Sequence, residues 1–119
     1  MGVGSGVLIV DDHAGFRAVA RTMLEADGFD VVGEAADGSS AVQAANSLRP
    51  SVVLLDIHLP DMDGFAVAER LAALAPPPAV VLISSRPMAD LRRRVAASPV
   101  AGFLAKDELS GAALSAIIG

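Results

Sequence analysis

The chain of 119 residues has no cysteine, no tryptophan and no tyrosine, and its aromatic side chains are four phenylalanines. Without cysteine there is no disulfide scaffold, no thiolate zinc site and no cysteine nucleophile. That composition fits a reducing cytoplasm, which is the expected location. So few aromatics make stacking on nucleic-acid bases a poor mode of action. Basic charge is also scarce: nine Lys and Arg stand against fourteen Asp and Glu, a net charge of -5. The domain therefore lacks the basic footprint of a nucleic-acid binder. No apolar run approaches the ~18 residues that a membrane span needs. The N-terminus, Met1-Gly-Val-Gly-Ser-Gly6, has neither a basic n-region nor a cleavage site. Gly6 stands where a myristoylation signal carries Ser or Thr. What the chain does have is 53% hydrophobic residues at the length of one ordinary domain, enough to bury a real core.

Five short apolar runs alternate with amphipathic stretches. The runs are Val7-Leu8-Ile9-Val10, the more polar 30–35, Val52-Val53-Leu54-Leu55, Ala79-Val80-Val81-Leu82-Ile83 and Gly102-Phe103-Leu104-Ala105. The first, third and fourth are apolar throughout, the signature of parallel strands buried on both faces; the second suits an edge. Between them, Phe16, Val19, Ala20, Met23 and Leu24 form one apolar helical face, stopped by Gly28. Ala41, Ala44, Ala45 and Leu48 form a weaker face that Pro50 ends. A third helix is expected over 64–74, with Pro76-Pro77-Pro78 forbidding continuation. Pro87 suits the first turn of a fourth helix through Leu91 and Val95, and 107–118 reads as a fifth. Strand and helix repeated five times predict an α/β fold, a parallel sheet with helices on both faces. No repeat or linker divides the chain, so residues 1–119 read as one domain.

The polar residues fall where such a fold would gather them. The first run ends in Asp11-Asp12, the third in Asp56, the fourth in Ser84-Ser85 and the fifth in Lys106. In an open parallel sheet all strand C-termini share one edge, and ligands bind there. Three carboxylates so placed repel one another unless a cation or a proton intervenes. A set of hard oxygens makes Mg²⁺ the natural ion. A lysine there suits phosphate, and a hydroxyl can donate to a phosphoryl oxygen. The set fits aspartyl-phosphate chemistry: a carboxylate nucleophile, a metal and donors to the product. Singly, each residue has a plain alternative. Asp11-Asp12 can cap a helix, Asp56 can sit in a turn, Ser84-Ser85 can cap, and Lys106 can be solvated. Asp61 and Asp63 beside Gly64 look like turn chemistry. All four sites at the ends of buried strands are hard to reach by chance.

The segments Val7-Leu-Ile-Val-Asp-Asp-His13, Val53-Leu-Leu-Asp-Ile-His-Leu-Pro-Asp-Met-Asp-Gly64, Val81-Leu-Ile-Ser-Ser85 and Gly102-Phe-Leu-Ala-Lys106 resemble the receiver domain of two-component response regulators. The resemblance covers essentially the whole chain, and the spacing Asp56, Pro60, Gly64 is its most specific mark. It implies a flavodoxin-like, doubly wound sheet in the order 2-1-3-4-5. It implies that Asp56 accepts a phosphoryl group from a histidine kinase. Asp11 and Asp12 hold Mg²⁺ with Asp56 and the His58 backbone carbonyl. Ser84 takes the switch position, Lys106 contacts the phosphate, and Phe103 changes rotamer between states. The expected role is a signalling switch, not a separate enzyme, with a homodimer through helix four, strand five and helix five as one output. The wording at 31–38 and 103–107 is most like receivers that precede a helix-turn-helix DNA-binding domain. No such domain lies in this chain, which is expected to be either part of a longer protein, the favoured reading, or a stand-alone receiver.

Some positions depart from the family pattern. Asp107 follows the lysine where many members have Pro, and Ser85 replaces a very small residue. His58 and Arg86 hold the variable positions that flank the phosphoryl group and are expected to set its lifetime. His13 is expected near solvent at the start of helix one, Met62 and Phe65 in packing, and Arg92-Arg93-Arg94 on a solvated face or, alternatively, a partner surface. Three competitors remain. A phosphate-independent interaction module would not need the acid set. A phosphohydrolase of the haloacid-dehalogenase type carries a second Asp where His58 stands. A flavin module would not place Asp11-Asp12 against its phosphate.

Overall fold

Along each central strand, successive residues enter different cores. Leu8 and Val10 of β1 (Gly6–Val10), Val53 and Leu55 of β3 (Val52–Asp56), and Val80 and Leu82 of β4 (Ala79–Ser84) join one cluster. Val7, Ile9, Val52, Leu54, Val81 and Ile83 join the other. A strand points alternate side chains to opposite faces, so a strand apolar at every position has to be covered twice. In the computed structural model, which describes residues 6–87, 89 and 91–119, helices on both faces provide that cover. Ala20 and Leu24 of α1 (Ala14–Ala26) and Leu114 of α5 (Gly111–Ile118) seal one face. Ala41 and Ala45 of α2 (Gly38–Leu48), with Phe65, Val67, Ala68 and Leu71 of α3 (Gly64–Ala72), seal the other. Each fully buried Leu or Ile in these layers contributes about 1.5–3 kcal/mol relative to exposure.

The sheet is parallel throughout and runs β2-β1-β3-β4-β5, with β2 (Asp30–Ala35) and β5 (Gly102–Ala105) at its edges. This is the flavodoxin-like order expected, and the polar second run does take an edge. Asp37 caps α2 by accepting from the Ser40 N–H at 2.8 Å, and Asp63 caps α3 by accepting from the Ala66 N–H at 2.9 Å. Arg49 closes α2 in the left-handed region, with φ at 49°.

Three helix boundaries differ from expectation. The third helix stops at Ala72, short of Leu74, because the Ala73 N–H closes it on the Arg70 carbonyl and the Leu74 N–H on the Leu71 carbonyl. The fourth does not begin at Pro87: α4 is Arg92–Ala96. Leu91 stands at its N-cap with no side-chain cap, and none of its own residues is buried, so little extends it. Met88 and Asp90 lie outside the described residues. The fifth starts at Gly111 rather than Asp107, because Ser110 is extended and caps Ala113 at 2.9 Å. Lys106–Glu108 is instead a single 3-10 turn, and Lys106–Asp107 is a trans bond. Among the described residues no helix is long and apolar enough to cross a membrane.

Candidate functional site

The parallel order brings the ends of β1, β3, β4 and β5 to one edge of the sheet. Asp11 follows β1, Asp56 closes β3, Ser84 closes β4 and Lys106 follows β5. Asp11 and Ser84 are fully buried and Asp56 is 3% exposed, while Asp12 is exposed. These positions are fixed by backbone ladders. Asp11 N–H donates to the Ala35 carbonyl at 3.0 Å, and Ile57 N–H donates to the Ile83 carbonyl at 3.1 Å. The loop after β3 turns back at once: the Gly64 N–H donates to the Ile57 carbonyl at 2.6 Å. A Cβ on Gly64 would lie 2.6 Å from the Asp56 carbonyl oxygen and 2.7 Å from the Ile57 Cα. Only a glycine permits that approach, which explains the last position of the Asp56–Pro60–Gly64 spacing.

Lys106 bridges the two buried acids. Its Nζ lies 2.6 Å from Asp11 Oδ2 and 3.4 Å from Asp56 Oδ2, and it rests 4.7 Å from the centre of the Phe16 ring. The contact with Asp11 is the shorter of the two, a close ion pair to a fully buried carboxylate. Asp56 Oδ1 accepts the His58 N–H at 3.2 Å. Burial pushes the Asp56 carboxyl above its ordinary range, and Asp11 adds to the rise while His58 and Lys106 oppose it. For Lys106, burial favours the neutral amine, but Asp11 and Asp56 outweigh it and hold the ammonium above its usual value.

Carboxylate or imidazole atoms of Asp11, Asp12, His13 and Asp56 all lie within 4.8 Å of one another. The single ammonium of Lys106 cannot neutralise three such carboxylates. A hard, oxygen-rich set with negative charge in excess of its one ammonium fits a divalent cation of the Mg²⁺ type. Ser84 Oγ accepts the Arg86 N–H at 2.9 Å at the same edge. Phe103 is half-buried against the core cluster that holds Leu82. His58, Ser85 and Arg86 are exposed. A groove of about 390 Å³ elsewhere, lined by Arg49, Pro50 and Pro76 among others, carries no carboxylate or imidazole and lies at the opposite strand ends.

Several contacts were not legible beforehand. His13 has a largely exposed ring, as expected, yet its Nδ1 sits 3.2 Å from Asp11 Oδ1 and 3.1 Å from Asp12 Oδ1. Asp61 does more than turn the loop: its carboxylate accepts the Gly38 and Ser39 N–H groups at 2.7 and 2.9 Å, at the start of α2. Arg94 is not merely solvated. It pairs with Asp63 at 2.8 Å and lies 4.1 Å over the Phe65 ring, which is core as expected. Arg92 and Arg93 are exposed. No spacing rule announces these pairs, because each depends on a loop path rather than a strand end.

A family model described as the response regulator receiver domain matches residues 7–118. The chain belongs to that family. This receiver is 38% identical over 102 residues to the virulence factors putative positive transcription regulator BvgA of Bordetella pertussis, covering 86% of this chain and 49% of that protein. It therefore spans about half the length of the curated relatives it matches. Its fold is similar to the signal receiver domain of the putative response regulator NarL from Mycobacterium tuberculosis. That likeness has a TM-score of 0.86 at 34% identity and covers 97% of each chain. It is also similar to a chain in the CheX-CheY-BeF3-Mg+2 complex from Borrelia burgdorferi, with a TM-score of 0.81 at 26% identity, over 95% of this chain and 85% of that one. The receiver is thus a regulatory module of two-component signalling.

Proposed function

We propose that Asp56 accepts a phosphoryl group from the phosphohistidine of a partner histidine kinase, and that this modification switches the receiver between two states. The observation that carries the reading is that Lys106 Nζ, half-buried, lies between Asp11 Oδ2 and Asp56 Oδ2 of two buried acids. An Asp56 oxygen forms the new O–P bond as the P–N bond of the donor breaks and the imidazole leaves. Asp11, Asp12, Asp56 and the His58 carbonyl would hold Mg²⁺, which supplies charge neutralisation for the phosphoryl oxygens. The relative crystallised with BeF3 and Mg²⁺ supports that choice of ion.

Lys106 and the Ser84 hydroxyl then contact the phosphoryl group. To do so Ser84 gives up its bond from the Arg86 N–H and moves inward, which frees space for Phe103. Contacts present only after modification shift a pre-existing equilibrium. A few charge-assisted hydrogen bonds are worth about 1.5–3 kcal/mol each, the scale such a shift needs. His58 and Arg86 set the lifetime of the phosphoryl group, and the face of α4, β5 and α5 carries the output, including a homodimer. The domain works in the cytoplasm as a switch, with only self-catalysed transfer and loss of its phosphoryl group. Residues 1–119 form the receiver part of a longer transcription regulator, as the resemblance to BvgA suggests, and a separate DNA-binding domain reads the state.

Backbone NMR with Mg²⁺ and beryllofluoride, a phosphoryl mimic, tests the site. Saturable shifts at Asp56, Ser84 and Lys106, absent in Asp56→Asn, are expected. Saturable shifts confined to other surfaces would contradict the assignment.

A further inference from the structure

Among the described residues, His13 is the imidazole set among the carboxylates of the cation site. Its backbone N–H is fixed by Asp11 Oδ1 at 2.8 Å, and it begins α1 as the N-cap without a side-chain cap bond. The ring is thus tethered at its root, and 71% of the side chain is exposed. Its Nδ1 nonetheless approaches both Asp11 Oδ1 and Asp12 Oδ1, at 3.2 and 3.1 Å. Adjacent ligand atoms of an octahedral ion bonded at ~2.1 Å stand about 3 Å apart, so the spacing of Nδ1 from each carboxylate is that of neighbouring donors around one cation. Fully buried Asp11, whose Oδ2 takes the Lys106 ammonium at 2.6 Å, belongs with Asp12, His13 and Asp56 to one group whose ligand atoms lie within 4.8 Å of one another.

We propose that the His13 imidazole is a ligand of this cation site and gives it a preference for first-row transition ions over Mg²⁺. The proposal rests on the reading that the acidic cluster holds a divalent cation, and adds which ion it favours. Mg²⁺ takes oxygen ligands and keeps its waters. Imidazole bonds to it weakly but suits transition ions, whose affinity rises along the first row. An all-oxygen site would rank these ions mainly by size; replacing one oxygen by His13 Nδ1 adds a term that Mg²⁺ does not share. The competing arrangement is a ring that only donates a hydrogen bond to the two carboxylates, and distance alone does not separate the two.

Spectroscopy on the full chain does. Mn²⁺ is the probe, read by electron spin-echo modulation, with Mn²⁺ and Mg²⁺ affinities from calorimetry. The expected result is an imidazole ¹⁴N coupling in the parent that survives His58→Gln and vanishes in His13→Gln. The Mn²⁺-over-Mg²⁺ affinity ratio should fall about tenfold in His13→Gln. Mn²⁺ binding without that coupling, or a coupling that His58→Gln removes, overturns the proposal while leaving the cation site standing. Failure of both ions to bind overturns it together with the cation reading.

Discussion

Ionising Asp56 is costly in the folded protein, because burial raises its pKa and the nearby Asp11 charge adds to the rise. A carboxyl whose folded pKa is raised adds stability below its unfolded pKa, and that stability is lost as pH rises through the folded value. At neutral pH the ionised group is therefore a net cost to the fold. Asp56→Asn is predicted to melt at a higher temperature than the parent at pH 7 without divalent ions, and the gap should narrow towards pH 4.5. Added Mg²⁺ should narrow it too, by binding the native parent. Thermal melts by circular dichroism check both; a less stable Asp56→Asn at pH 7 contradicts the burial argument. Gly64 is the other residue-scale constraint. A methyl group there meets backbone atoms of Asp56 and Ile57 rather than a yielding side chain. Gly64→Ala should cost about 1–3 kcal/mol in chemical denaturation. A change below ~0.5 kcal/mol would mean that the loop relaxes freely.

The elements were legible in proportion to how strongly one signal dominated them. Val7 to Val10 and Val52 to Leu55 are apolar at every position, and only a doubly covered strand suits that. The start of the fourth helix was not legible, because Pro87 marked a beginning that no side-chain cap supports, and Leu91 and Val95 alone carried its apolar pattern. The fifth was read as starting at Asp107, whereas Ser110 is the residue whose Oγ meets the Ala113 N–H. α4 has no buried residue of its own and is held to the loop after β3 by the Arg94–Asp63 pair. Exposed ion pairs contribute little globally, so Arg94→Ala should change overall stability by less than about 1 kcal/mol. Its effect should instead be local: faster amide hydrogen exchange from Arg92 to Ala97, with the α1 and β1 amides unchanged. Equal acceleration everywhere would deny the latch. A true side-chain cap behaves otherwise, and Asp37→Ala, which removes the acceptor for the Ser40 N–H, should cost about 1 kcal/mol of global stability.

At the scale of the molecule, topology made the site readable. Asp11, Asp56, Ser84 and Lys106 are far apart in the sequence, yet a parallel sheet in the order β2-β1-β3-β4-β5 puts the ends of their four strands side by side. What escaped sequence reasoning depends on how loops and rotamers settle: His13 against two acids, Asp61 reaching back to α2, and Arg94 crossing to Asp63. The same topology leaves one lysine to balance several carboxylates, an arrangement that favours phosphoryl chemistry with a divalent ion over a purely structural ion pair. The most direct test is the intact mass of the chain after incubation with Mg²⁺ and acetyl phosphate, beside Asp56→Asn. The account predicts a gain of one phosphoryl group in the parent and none in the variant. No gain in the parent, with Mg²⁺ binding shown in the same sample, would contradict it and mark the receiver as a phosphate-independent interaction module.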